Sequence, residues 1–136
     1  MFTFLRRINL YETDLMGVVH HSNYLRFLEE ARVAWALNLG LLSYQKPESA
    51  AYFTVYESRV KYLKPLKYGE DVKILIQSRI EKNRILLQYK ILKSDESLAT
   101  LAETVHVPLD KDLKLIRWTP EIKTIMEKET WTETWL

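Results

Sequence analysis

One stretch of this 136-residue sequence gathers the residue types that do chemistry: Tyr11-Glu12-Thr13-Asp14-Leu15-Met16-Gly17-Val18-Val19-His20-His21-Ser22-Asn23-Tyr24. It brings a carboxylate, a glycine, two adjacent histidines and an amide to the start of a segment with helical periodicity. A helix N-terminus presents unpaired backbone N–H groups and a partial positive charge, so it can polarise a carbonyl or hold a developing oxyanion. A carboxylate at Asp14 could attack an acyl carbonyl or deprotonate a water beside it. Gly17 would let the backbone pass close to a ligand. The same residues also make plain structure, since Asp, Ser and Asn before a helix are common caps and Asp-x-x-Gly is a common turn. A metal site is not expected at His20 and His21: adjacent side chains should diverge, and no third ligand is evident.

The elements that must position this stretch follow from periodicity. Residues 2–10 alternate loosely through Phe2, Phe4, Ile8 and Leu10, which suits a first strand. From Tyr24 the apolar positions 24, 27, 28, 31, 35 and 39 trace one helical face. This predicts a helix over about residues 23–38, with Ser22 or Asn23 as N-cap and Gly40 beyond its C-terminus.

The second half reads as strands. Tyr52, Thr54, Tyr56, Ser58, Val60 and Tyr62 fall on one face, with Phe53, Val55 and Leu63 on the other. Further strands follow over 72–80, 85–91 and 98–109, separated by turns at Lys82-Asn83-Arg84 and Ser94-Asp95-Glu96-Ser97. Thr119-Pro120 opens a short helix running to about Met126. The expected architecture is α+β: one strand, one long helix, then four strands in an antiparallel meander curled round that helix. Aromatics left on the sheet's outer face suggest that a second subunit covers part of it.

Composition narrows the functional classes. Apolar residues at 47% and charged residues at 28% suit a single globular domain over 1–136 rather than a disordered chain. The absence of cysteine excludes a disulfide framework and thiolate chemistry. A net charge of +2, with no Lys/Arg run longer than Arg6-Arg7, gives no nucleic-acid surface. No apolar run approaches the roughly 20 residues of a membrane span. The N-terminal order of apolar and charged residues is the reverse of a signal peptide, so a cytoplasmic address is expected.

The string Thr13-Asp14-x-x-Gly17-Val18-Val19-x-His21-x-Asn23-Tyr24-x-x-Phe27-x-Glu29-x-x-Arg32 closely resembles the signature of the 4-hydroxybenzoyl-CoA thioesterase family of hot-dog-fold enzymes. It lies nearest the branch of the Tol–Pal-associated acyl-CoA thioesterases. Tyr62-x-x-Pro65, and Asp71-Val72 after Gly69, extend the resemblance, which covers about residues 3–125. It implies a hot-dog fold, with a five-stranded antiparallel sheet wrapped round one long central helix and a short C-terminal helix.

The implied reaction is hydrolysis of an acyl-CoA thioester to free acid and CoA. Asp14 would be nucleophile or general base, and the backbone N–H of His21 would polarise the thioester carbonyl while its side chain assists. Gly17, Val19, His20, Ser22, Asn23 and Tyr24 would shape the substrate side, with Asn23 also holding the loop by hydrogen bonds. The resemblance implies no metal and no cofactor beyond the CoA of the substrate. It also implies a homo-oligomer, dimers pairing into tetramers, with active sites at the dimer contact. The competing expectations are a non-catalytic acyl-CoA-binding module and a hot-dog hydratase or dehydratase.

Two positions depart from the pattern: His20 replaces an aromatic, and Met16 replaces a small residue and could reshape the acyl pocket. Glu57 and Arg59 could line the active cleft, but a salt bridge at a subunit contact is the expected role. Glu29 or Glu30 is a fallback nucleophile, and His106 is expected to be structural. Lys61, Lys64 and Lys67 could meet CoA phosphates or simply be solvated. Trp131 and Trp135 could pack on a neighbouring subunit or fray.

Overall fold

The apolar stripe read from the sequence becomes helix α1 (Ser22–Leu39), which buries Tyr24, Phe27, Leu28, Ala31, Trp35 and Ala36. It is seen in a computed structural model that describes residues 1–42 and 52–136. Gly40 ends the helix at φ 77°, where an L side chain would be strained, and its N–H returns to the carbonyls of Ala36 and Leu37. The stripe packs against one face of a five-stranded antiparallel sheet: β1 (Phe2–Arg7), β2 (Tyr52–Tyr62), β3 (Asp71–Glu81), β4 (Arg84–Leu92) and β5 (Leu98–Leu109). Helix α2 (Pro120–Glu127) follows, capped as expected by Thr119, whose hydroxyl accepts from the Ile122 N–H at 3.3 Å.

The strand order is β1-β3-β4-β5-β2, which corrects the expected four-strand meander. Only β3, β4 and β5 are joined by hairpins; β2 lies at the far edge, paired with β5. Residues 63–70 cannot make a hairpin because they must cross from β2 at one edge, past β5 and β4, to β3 beside the other edge strand. Leu66, fully buried midway, and Gly69, at φ 83°, are the anchors of that crossing. A second correction concerns β2. A bulge between Val55 and Glu57 reverses the alternation. Val55, paired with His106, therefore shares a face with Ser58, paired with Thr104, while Tyr56 is exposed under the Arg84 guanidinium. The side chain of Tyr52 lies outside the described residues.

The first strand is also shorter than expected. It stops at Arg7, Ile8 is buried, and Leu10 is an exposed member of a 3₁₀ turn over Leu10–Glu12.

The centre of the sheet's outer face is covered by the chain's own C-terminus. The Trp131 ring lies under Arg79 at 4.2 Å and the Trp135 ring under Lys90 at 4.5 Å. Arg59 belongs to this face, bonding Glu103 of the neighbouring strand at 2.6 Å, so its ion pair is internal to the chain.

His106 is structural and fully buried, its Nε2 sharing a 2.8 Å hydrogen bond with Thr104. Burial, reinforced by the charge of Arg32, pushes its pKa down to about 3. In the unfolded chain an imidazole titrates near about 6.5, so below that pH the unfolded state binds the extra proton and stability falls. Urea titrations are expected to show a loss of about 2 kcal/mol between roughly pH 7 and pH 5. In His106→Gln that decrement should disappear.

Candidate active site

Residues 13–19 form a small hairpin that ends against the helix. Thr13 and Val19 pair across it, and the Asp14 N–H donates to Val18 O at 2.9 Å. The Gly17 N–H donates to Asp14 O at 3.0 Å. The Asp14 carboxylate is fixed in turn: its Oδ1 accepts from the Met16 N–H at 2.8 Å.

Gly17 adopts φ 78°, yet a Cβ placed there meets nothing within 4 Å. The positive φ by itself favours glycine in this turn. Gly17→Ala should fold, with an unfolding free energy lower by roughly 1–2 kcal/mol for the left-handed backbone. Urea titration reads this directly, and a far larger loss would mean that the position is sterically closed.

The start of α1 differs from the expected capping. The first helical turn begins one residue early, at His21, and Ser22 and Asn23 serve elsewhere. His20 supplies the cap: its Nδ1 accepts from the Ser22 N–H at 3.2 Å and shares a 2.8 Å hydrogen bond with the Ser22 hydroxyl. The Asn23 side chain donates to Glu12 O at 2.8 Å. The Asn23 and Tyr24 N–H groups turn back to the carbonyls of His20 and His21. Among the described residues the His21 N–H donates to no protein group. The one uncommitted donor of this turn therefore belongs to the residue that the resemblance singled out.

The His20 and His21 rings do not diverge as expected. They lie together, with centroids 4.2 Å apart, because the tight turn into the helix points both the same way. Among the described residues no group of three His, Asp or Glu side chains is placed to hold a metal ion.

Asp14 and His21 line the same cleft, of about 340 Å³, together with Val19 and Tyr24. His20, Ser22, Asn23 and Gly17, expected at the substrate, do not line it; their polar groups are spent on the loop and helix start. The opposite wall comes from the crossing segment: Tyr62, Leu63, Lys64 and Pro65, with Met16 and Val18 at the mouth. Leu66 O accepts the Val19 N–H at 2.8 Å and Val18 pairs with Lys67, which ties the two walls together. The Tyr62 ring meets Tyr24 edge-on at 4.8 Å, and its hydroxyl donates to His21 O at 3.4 Å. Burial pushes the Tyr24 phenol up, so it stays neutral at ordinary pH.

A residue missed in the sequence holds the arrangement from behind. Glu12 is only 7% exposed. Its carboxylate takes two hydrogen bonds from Arg6, at 2.8 and 2.9 Å, and one from the Asn9 N–H at 2.8 Å. Burial would raise its pKa, but the Arg6 and Asn9 hydrogen bonds outweigh burial and hold the carboxyl below the ordinary range. Arg6 also bonds Glu30 of α1 at 2.8 Å and stacks over Phe27 at 4.1 Å. The Glu12 carbonyl accepts both the Asn23 amide and the His20 N–H. Asp14, two residues after Glu12, and His21, one residue after His20, are thus both indexed to a single peptide group.

A family model for the thioesterase-like superfamily matches residues 8–126, most of the chain and the whole of this cleft. The chain belongs to the thioesterase-like superfamily. A Bacillus subtilis relative, named provisionally as an acyl-CoA thioesterase, is 32% identical over 104 residues, 74% of each protein. A 1,4-dihydroxy-2-naphthoyl-CoA hydrolase from Thermosynechococcus vestitus is 29% identical over 76% of this chain and 73% of its own. The solved structure of a DHNA-CoA thioesterase from Staphylococcus aureus superposes with a TM-score of 0.85 at 27% identity, covering 93% of this chain and 88% of that one. The superfamily match makes the sheet and central helix a hot-dog fold, as the resemblance implied. In this thioesterase-like chain the matched region stops at residue 126, just before the end of α2, so the C-terminal segment over the outer face lies beyond it.

Proposed function

We propose that the chain hydrolyses acyl-CoA thioesters in the cleft between the Asp14 hairpin and the crossing segment. The observation that carries this reading is the juxtaposition, in one cleft, of a fixed carboxylate and a helix N-terminal turn whose His21 N–H has no protein partner among the described residues. The thioester carbonyl oxygen takes the His21 N–H, which stabilises the negative charge that develops on it. Asp14 either attacks the carbonyl carbon, giving an anhydride that water then opens, or takes a proton from the attacking water. The CoA thiolate leaves without a strong acid, since its conjugate thiol has a pKa of only about 8.5.

The tyrosine-walled cleft suits a compact acyl group, aromatic rather than long aliphatic. The names of the 1,4-dihydroxy-2-naphthoyl-CoA hydrolase and DHNA-CoA thioesterase relatives support that choice. Lys64 at the rim would face the CoA side. The exposed edge strand β2, with Val55, Tyr56 and Tyr62 uncovered, supports association of copies beside the cleft, as dimers or dimers of dimers. Among the described residues no helix is long and apolar enough to cross a membrane, and a cytoplasmic enzyme without metal or added cofactor is the reading we adopt.

The test is thiol release from a panel containing 1,4-dihydroxy-2-naphthoyl-CoA, 4-hydroxybenzoyl-CoA and saturated acyl-CoAs of increasing length. Release is expected, fastest from an aromatic thioester. Tight binding without release would make the chain a binding module. Hydration of crotonyl-CoA without thiol release would make it a hydratase.

A further inference from the structure

The two walls of the cleft are held by different parts of the chain. Asp14 and His21 are indexed to the Glu12 peptide. The facing wall runs from the end of β2 into the crossing segment, and residues 63–70 have no helix or strand of their own. At the start of the crossing the Leu63 and Lys64 N–H groups both donate to Ala99 O, at 2.8 and 3.0 Å. At its end Glu70 O accepts the Ile8 N–H at 2.9 Å. Pro65, between them, has no N–H to give, so its backbone can be tied only through its carbonyl.

That carbonyl is taken by a side chain from another part of the sheet. Lys93, just beyond β4, donates to Pro65 O at 2.7 Å. The same ammonium meets both carboxylate oxygens of Glu70, at 2.8 and 3.1 Å, so its three N–H donors are matched. Among the described residues Pro65 O has no other partner. The Lys93 and Glu70 side chains are 16% and 22% exposed, which shields the pair from water.

Glu70 completes the clamp. Its Oε2 accepts the Lys67 N–H at 2.8 Å, and its own N–H returns to Lys67 O at 3.2 Å. Burial would raise its carboxyl pKa, but the hydrogen bonds from Lys93 and Lys67 outweigh burial and hold it below the ordinary range. One ammonium therefore grips Pro65, in the cleft wall, and Glu70, at the end of the crossing. Lys93 itself does not line the cleft.

We propose that Lys93 is a positioning residue for substrate binding, which sets the facing wall of the cleft by clamping Pro65 to Glu70. The inference rests on the hydrolytic reading and divides its labour. Glu12 places the groups that react, and Lys93 places the surface against which the acyl group packs. A loosened wall weakens the bound substrate and the transition state alike, so it raises KM and spares kcat.

The experiment uses full-length Lys93→Met and Lys93→Met/Glu70→Gln. The single variant strands a shielded carboxylate and puts folding at risk. The double variant removes both charges and keeps an acceptor for the Lys67 N–H, so its main loss is the grip on Pro65. Thiol release from 4-hydroxybenzoyl-CoA and 1,4-dihydroxy-2-naphthoyl-CoA gives kcat and KM. Calorimetry on an Asp14→Asn background gives Kd for the same thioesters. In the double variant KM and Kd are expected to rise about tenfold, with kcat within about threefold of the wild type. Unchanged KM and Kd overturn the proposal. So does a fall in kcat at constant KM, which is what a smaller folded fraction would give. A wild type that binds these thioesters without releasing thiol fails the hydrolytic reading alone, and the change in Kd then decides the role of Lys93. A wild type that binds neither thioester overturns both.

Discussion

Asp14→Asn is expected to lower kcat for thioester hydrolysis by about 10²–10⁴-fold, the usual worth of a positioned base. The substitution is chosen because it separates chemistry from structure. The amide keeps an oxygen where Oδ1 accepts the Met16 N–H, so the hairpin and the position of Gly17 should survive. What is lost is the negative charge and the proton affinity. KM should change little and the unfolding transition should match the wild type. Asp14→Ala removes the turn bond as well and should lose stability in addition to rate. Were Asp14→Asn to keep its activity, the carboxylate would have to come from elsewhere. The two helix glutamates are poor substitutes: Glu30 is committed to Arg6, and Glu29 is exposed and does not line the cleft.

Glu12→Ala should be the most damaging change outside the cleft. It leaves the Arg6 guanidinium, on a side chain only 10% exposed, with Glu30 as its remaining partner. Stripping one partner from a buried ion pair costs about 3–5 kcal/mol, and the surviving Glu30 contact places this case near the lower end. Activity should fall as well, because the Glu12 peptide carries both the His20 N–H and the Asn23 amide. A shift of about 1 Å between catalytic groups is worth on the order of 10²-fold in rate.

Glu12→Gln retains an acceptor for Asn9 and Arg6 and should recover part of both losses. Chemical unfolding and kcat measured on the same samples separate the two effects. The pH dependence follows from the lowered carboxyl pKa. The stabilisation is complete at neutral pH and is lost as the pH falls through the folded value, below the ordinary carboxyl range. In Glu12→Gln that acid-range loss should be smaller.

The helix was legible because its stripe is strict and its end is marked: Tyr24 to Leu39 repeats on one face, and Gly40 closes it. The string that carries the proposed catalytic groups stood out because its members are close in sequence and stand at a helix start. The second wall of the cleft was not, for a topological reason. Alternation identifies strands but not their neighbours, so Tyr62 to Pro65 read as the approach to a hairpin when they begin a crossing. The signal was present in Leu66, an apolar residue in the middle of a segment too long for a tight turn.

The bulge at Tyr56 left no mark in composition, and it reversed the faces assigned to the first half of β2. Glu12 was hidden because its partner Arg6 lies across a 3₁₀ turn, at no helical or strand spacing. Its neighbours His20 and Asn23 tie the loop and the start of α1 together through their hydrogen bonds.

The account stands on one placement, that of the acyl carbonyl between Asp14 and the start of α1. A crystal structure with a non-hydrolysable thioether or ketone analogue of the best acyl-CoA tests it directly. The carbonyl oxygen is predicted within about 3.2 Å of the His21 nitrogen, with the Asp14 carboxylate about 3–3.5 Å from the carbonyl carbon or bridged to it by one water. An analogue seated instead in the larger hollow of about 620 Å³ between Arg7, Lys73 and Lys93, with the Asp14 cleft empty, would contradict it.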